Sequence, residues 1–201
     1  MKSRFIINWD EMMDKLILLS WVSGSGKTTL LTALLQAHSQ LILVPSYTTR
    51  PMRPDEKNGR KYWHVSEVDF KNAIDAWEFL EYAIVHKKNY YGTRLDDVKK
   101  AFSKWLIPIT EVDMHWLEKI KKDNKWIDYV SIFLDISDEK MVERIKKRWH
   151  VDQEEIDRRV ASAHFERTKI KDNCDYTLVT DDTLKNNIKN LNQLVKKILN
   201  G

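Results

Sequence analysis

Residues 16–31 read L-I-L-L-S-W-V-S-G-S-G-K-T-T-L-L. An unbroken apolar run enters a turn bearing two glycines, and Lys27 and Thr28 then open a second apolar stretch. This is the pattern of a buried strand, a phosphate-binding loop and a helix. The chemistry follows from the residue types. Backbone N–H groups across Ser23, Gly24, Ser25, Gly26, Lys27, Thr28 and Thr29 point at phosphate oxygens at the positive end of a helix, the Lys27 ammonium reaches the β/γ-phosphates, and the Thr28 hydroxyl serves Mg²⁺. One residue departs from the pattern: Trp21 stands where a glycine turns the chain tightly off the strand. The loop argues for a nucleoside triphosphate site, and Trp21 argues against it.

Working outward, Lys15 to Ser20 reads as a parallel strand, Lys27 to His38 as a helix and Leu41 to Val44 as a second strand. Ser46 to Gly59 is polar, with Pro51 and Pro54, and reads as an exposed loop. Tyr62 to Val65 and Phe79 to His86 read as strands around a short helix that Ser66 caps, with Asp69 three residues on. A helix over 95–104 leads to a strand from Leu106 to Val112, where Pro108 is out of place because proline removes a ladder donor. There follow a helix over 114–122, a strand over 129–136, a helix capped by Ser137, and a long helix begun by Asp152 and Glu155. A strand over 176–180 and an amphipathic helix over 184–199 close the chain. Five apolar strands separated by helices imply an α/β fold with a parallel sheet core flanked by helices on both faces.

Composition narrows the class. The chain has 201 residues, 34 basic against 30 acidic, a net charge of +4 and no linker-like stretch. One compact unit is expected, and the excess charge is too small to require nucleic acid. A polyanionic small molecule satisfies it. Cys174 is the only cysteine, no apolar run approaches the roughly 20 residues of a membrane span, and residues 1–14 lack a cleavage-type apolar core. A cytoplasmic protein with a short N-terminal extension over 1–14 is expected.

Two further segments carry chemistry. Residues 46–62 read S-Y-T-T-R-P-M-R-P-D-E-K-N-G-R-K-Y. Arg50 and Arg53 offer two guanidinium forks to one phosphate, and Ser46 and Tyr62 add hydroxyl donors. On charge alone the same segment is a solvated basic loop. Residues 79–93 read F-L-E-Y-A-I-V-H-K-K-N-Y-Y-G-T, where Glu81 is placed to accept from a base and Tyr91 and Thr93 to contact phosphate or base. Taken singly, Glu81 is an outward-facing strand residue.

Together these segments, in order and spacing from about Lys15 to Leu199, resemble guanylate kinase, the P-loop nucleoside monophosphate kinase that moves the γ-phosphoryl of ATP to GMP. The resemblance implies a small mixed α+β GMP-binding insertion over 46–98, a helical lid over 138–160 and a core over 15–45, 99–137 and 161–201. It implies that Ser46, Arg50, Arg53, Tyr62 and Tyr91 hold the GMP phosphate, that Glu81 and Thr93 read guanine, and that Asp113, in T-E-V-D-M, lies near guanine and the metal shell. Glu111 stands where the family usually has Asp, and as a longer carboxylate it still reaches a Mg²⁺-bound water. Thr28, Glu111 and Asp113 are thus the implied metal residues. Lys27, Arg144, Arg148 and Arg159 are the implied catalytic cations, with Mg²⁺ as cofactor. The implied partners are ATP and GMP or dGMP, in a monomer or homodimer, with neither nucleic acid nor membrane.

The departures have one character. Trp21, Trp77, Trp105, Trp116 and Trp149 stand where the family often or usually has glycine, in a chain with 5 Gly and 8 Trp where ordinary usage would give roughly 14 Gly. Since UGA means Trp in some genetic codes and Gly in others, these residues are expected to be misdecoded glycines. If Trp21, Trp116 and Trp149 are genuine, the alternative is a guanylate-kinase-like module that binds a phosphorylated peptide without catalysis. A sister P-loop kinase with another acceptor is the third reading; Glu81 and residues 46–62 favour GMP. Thr180 also replaces a family Asn, and no metal-ligand spacing links the histidines.

Overall fold

The apolar run at the start has a simple physical reason: Leu16, Ile17, Leu18 and Leu19 are all fully buried. Leu16 and Leu18 pack on one face and Ile17 and Leu19 on the other, so alternation disappears, as it does in parallel strands covered on both sides. The computed structural model describes residues 15–54, 56, 57, 59, 61–85, 88–112, 117, 120, 127–148 and 152–200. In chain order these form β1 (Lys15–Trp21), α1 (Lys27–Ala37), β2 (Leu41–Leu43), β3 (Ser46–Thr48), β4 (Tyr62–His64), α2 (Glu67–Asp75), β5 (Phe79–Val85) and β6 (Asn89–Arg94), then α3 (Leu95–Ser103), β7 (Ile107–Glu111), β8 (Asp128–Asp135), α4 (Asp138–Arg148), α5 (Gln153–Asn173), β9 (Tyr176–Val179) and α6 (Leu184–Asn200).

The central sheet has the order β2-β7-β1-β8-β9 with every pairing parallel, as the five apolar runs predict. On one face Met141 and Ile145 of α4 and Ile156 and Ala163 of α5 join Leu16, Leu18 and Phe133. On the other, Leu30, Leu31 and Leu34 of α1 and Leu191 and Val195 of α6 join Ile17, Leu19 and Ile132. Because β1 lies in the middle, the loop that follows it emerges at the centre of the sheet's C-terminal edge, where α/β proteins bind ligands.

Pro108 is accommodated by register. Ile107 donates to Gln40 and Ile109 accepts from Val44, both on the β2 side, so the Pro108 nitrogen turns to the β1 side. The β1 register begins one residue later, at Ile17 opposite Ile109. The missing donor therefore falls at the start of the β7–β1 ladder rather than within it.

A second sheet, ordered β4-β3-β6-β5, is built within residues 46–94. It corrects the sequence reading twice. Ser46 to Thr48 is a strand rather than the start of an exposed loop, with Ser46 and Thr48 buried; three residues of polar type carry no readable period. Asn89 to Arg94 is also a strand, pairing antiparallel with β5 and β3, although the tyrosine-rich text after Val85 gave no turn signal. The sheets meet where the buried hydroxyls of Thr93 and Thr110 hydrogen bond at 3.1 Å. Expected caps are present: Ser66 accepts from the Asp69 N–H at 3.0 Å and Asp152 from the Glu155 N–H at 2.8 Å. Most of the expected helix over 114–122, Asp113, Trp116, Trp149, the Arg148 side chain and residues 1–14 lie outside the described residues.

Candidate active site

The loop between β1 and α1 needs its two glycines. Gly24 has φ +84° and Gly26 φ +83°, left-handed values that cost other residues about 1–2 kcal/mol each. Trp21 is not in such a conformation. It ends β1, paired with Leu134, and the chain turns only afterwards. Its indole lines a cavity of about 580 Å³ together with Ser23 to Thr29, Arg53 and Arg144. The Lys27 Nζ lies 3.0 Å from the centroid of that indole, a cation–π contact.

Lys27 also donates to Glu111 Oε2 at 2.8 Å, and Lys61 pairs with the same oxygen at 3.2 Å. Burial pulls the Lys27 ammonium down to about 7, against the opposing pull of the Glu111 charge. Glu111 Oε1 is buried with no hydrogen-bond partner among the described residues, an acceptor suited to a cation's water shell. Mg²⁺ takes one or two protein groups and fills its sphere with water and phosphate oxygens. The Thr28 hydroxyl and Glu111 fit that demand.

The second sheet presents a guanidinium in an aromatic frame. Arg50 Nε donates to the Tyr91 hydroxyl at 3.2 Å, its carbon lies 5.5 Å from the Tyr62 ring centroid, and Tyr62 and Tyr91 meet edge to face at 5.9 Å. Arg50 Nη2 reaches both oxygens of Glu56, at 2.7 and 3.0 Å. Ser46 lies opposite Tyr62 in the β3–β4 pair. Burial, with the Glu111 charge second, pushes the Tyr62 phenol above its ordinary value. Glu81, 3% exposed and paired in register with Thr93, faces inward, which corrects the outward-facing reading. Strand β5 has a register irregularity between Phe79 and Glu81, and this removes the simple alternation that would have shown it.

Arg144 of α4 and Arg159 of α5 converge on the phosphate-binding loop. Arg144 donates to the Gly24 carbonyl at 3.2 Å and the Thr180 carbonyl at 2.7 Å. Arg159 bonds Glu155 at 2.7 Å and approaches Ser23 Oγ at 3.4 Å. Arg53 lines the loop cavity from the acceptor side, while Arg50 faces the tyrosines.

Two residues escaped the sequence reading. Glu56 fixes Arg50 and accepts from the Arg53 N–H at 2.9 Å; its position three residues after Arg53, where it closes a turn on that amide, is the signal that could have found it. Lys61 had none, being one lysine in a basic stretch. The Arg50 hydrogen bonds hold the Glu56 carboxylate down at about 2. Its folded value is therefore below the unfolded one, so its contribution is complete above about pH 4.5 and disappears as pH falls towards 2. Replacing Glu56 by alanine is expected to free Arg50 and raise the KM of a phosphorylated acceptor about tenfold, with kcat little changed; steady-state kinetics check this.

Comparison with known proteins gives one consistent answer. The family model described as guanylate kinase matches residues 13–198. A guanylate kinase of Xylella fastidiosa is 33% identical over 171 residues, covering 85% of this chain and 82% of that protein. One from Prochlorococcus marinus is 35% identical over 181 residues, covering 88% and 96%. The crystal structure of guanylate kinase from Anaplasma phagocytophilum shares the fold, with TM-score 0.72 at 22% identity over 93% of this chain and 87% of that one. With the family model spanning the loop, the second sheet and both arginine-bearing helices, this chain belongs to the guanylate kinase family.

Proposed function

We propose that this chain transfers the γ-phosphoryl group of ATP to GMP, and to dGMP, releasing ADP and the nucleoside diphosphate. The observation that carries this reading is the meeting of two cation sets: Arg53 of the acceptor region lines one cavity with Lys27 and Arg144, and Lys61 of the acceptor region shares the Glu111 carboxylate with Lys27. In the reaction an oxygen of the GMP phosphate bonds to the γ-phosphorus as the bond to the β–γ bridging oxygen breaks. Little covalent help is needed, so positioning and charge neutralisation supply the rate.

The loop N–H groups and Lys27 hold the donor phosphates. Arg50, Arg53, Tyr62, Tyr91 and Ser46 hold the acceptor phosphate, and Glu81 and Thr93, with Asp113, read guanine. Arg144 and Arg159, with Arg148, close over the transferring group and exclude water. Thr28 and Glu111, with Asp113, would hold Mg²⁺ through water, and the ion would supply neutralisation of phosphate charge. Residues 46–98 act as the acceptor domain and 138–160 as the lid on the remaining core, in a cytoplasmic monomer or homodimer. Among the described residues no helix is long and apolar enough to cross a membrane.

Trp21 favours a second reading, a module that binds a phosphorylated peptide, because its ring occupies the edge of the donor cavity and engages Lys27. The discriminating experiment measures ADP release from Mg·ATP with GMP, dGMP, AMP, CMP or UMP as acceptor. Turnover confined to GMP and dGMP is expected. Absence of turnover, in this chain and in its Trp21→Gly variant, with phosphopeptide binding retained, would establish the module instead.

A further inference from the structure

We propose that Lys61 is a positioning residue that acts through Glu111 to release Lys27 for the donor phosphates; this rests on the phosphotransferase reading above. Glu111 has 7% of its side chain exposed and offers one oxygen to two ammonium groups, Lys27 at 2.8 Å and Lys61 at 3.2 Å. Lys27 is itself largely buried, and a buried lysine facing one carboxylate alone forms a tight pair, because attraction rises as water is excluded. A second cation on the same oxygen weakens the hold on the first. Lys61 is the more exposed of the two, at 34%, and enters from the residue before β4, so it remains with Glu111 when Lys27 turns to a nucleotide. The two lysines thereby connect the acceptor sheet to the donor loop through a single carboxylate.

The test is a double-mutant cycle of Lys61→Met and Glu111→Gln, read by calorimetric affinity for ATP and for GMP and by kcat. Lys61→Met is expected to weaken ATP binding about tenfold, the effect of roughly one charged hydrogen bond, to leave GMP affinity within about twofold, and to have no further effect in the Glu111→Gln background. Lys61→Arg should restore ATP affinity. A Lys61→Met loss that falls on GMP means direct contact with the acceptor, and one that persists in Glu111→Gln means an effect that does not pass through Glu111; either overturns the proposal. So does unchanged ATP affinity in a variant of a chain that still phosphorylates GMP, which leaves the parent reading intact. A chain that binds no ATP overturns both.

A separate observation concerns Trp77 and Trp105. They have φ 56° and 59°, the positive-φ non-glycine residues among those described. Each occupies the position just past a helix end in a paired-bond terminating motif. Trp77 N donates to Ile74 O and Glu78 N to Ala73 O, both at 3.0 Å, while Trp105 N donates to Phe102 O at 2.9 Å and Leu106 N to Ala101 O at 3.0 Å. This is the site where helices place glycine, because a Cβ is strained there. The indoles recover nothing by packing, being 88% and 66% exposed.

We infer that the natural polypeptide carries glycine at positions 77 and 105, from UGA codons that its own cells read as glycine. Trp21, in extended strand, carries no such backbone demand. Trp77→Gly and Trp105→Gly are each expected to raise Tm by about 2–4 °C, and peptides from the native cells should contain glycine at both positions. UGG codons, or tryptophan-containing native peptides, overturn the inference; so does a Tm that falls in both variants.

Discussion

Lys27→Ala is expected to lower kcat by about 10²–10³-fold, the loss seen when one preorganised donor to a developing charge is removed, while GMP affinity stays within about twofold. The ammonium belongs to the loop at the end of β1, and no residue of the acceptor sheet replaces it on the donor phosphates. A neighbouring cation, Lys61, is anchored on Glu111 at 3.2 Å. Truncation also leaves the carboxylate with that one partner, so the loss falls on the chemical step and on ATP. ADP release at saturating nucleotides, beside calorimetric GMP binding, separates the two. A GMP affinity that collapses with kcat would show that the donor and acceptor sites are not divided as proposed.

Arg50→Ala should act in the opposite sense, raising the KM for GMP by about 10- to 100-fold, equivalent to 1.5–3 kcal/mol for a hydrogen bond to a charged group, with a smaller effect on kcat. Arg50 is already oriented, by Tyr91 at 3.2 Å and by Glu56 at 2.7 Å, so its fork meets the phosphate without first losing rotamer freedom. Its removal also takes the guanidinium from Glu56, leaving that carboxylate with the Arg53 N–H beside an anionic ligand. Arg50→Lys should recover only part of the affinity, because a point charge does not reproduce a planar fork held by two partners. GMP titration of the three proteins decides it; affinity indifferent to Arg50 would reassign the acceptor site.

The same logic separates stable features from exchangeable ones. The Arg50–Glu56 pair is local, a contact within one loop. The Thr93–Thr110 hydrogen bond at 3.1 Å is buried and joins the two sheets.

Most of the core was legible along the chain, because apolar runs, caps and the glycine loop act between residues close in sequence. The five parallel strands, the Ser66 and Asp152 caps and the phosphate-binding turn all follow from local patterns. Three-residue β3 and the β5–β6 hairpin did not, since their hydrogen bonds join segments whose own text is polar or irregular. The family resemblance supplied the candidate site residues but not their surroundings. That Glu81 is buried, that Arg50 is held by Glu56, and that Lys27 and Lys61 share Glu111 across 84 positions of chain from Lys27 are consequences of packing. Local composition sets which strands and turns can form, whereas the charge balance of the site arises only when distant elements exclude water from the same few ångströms.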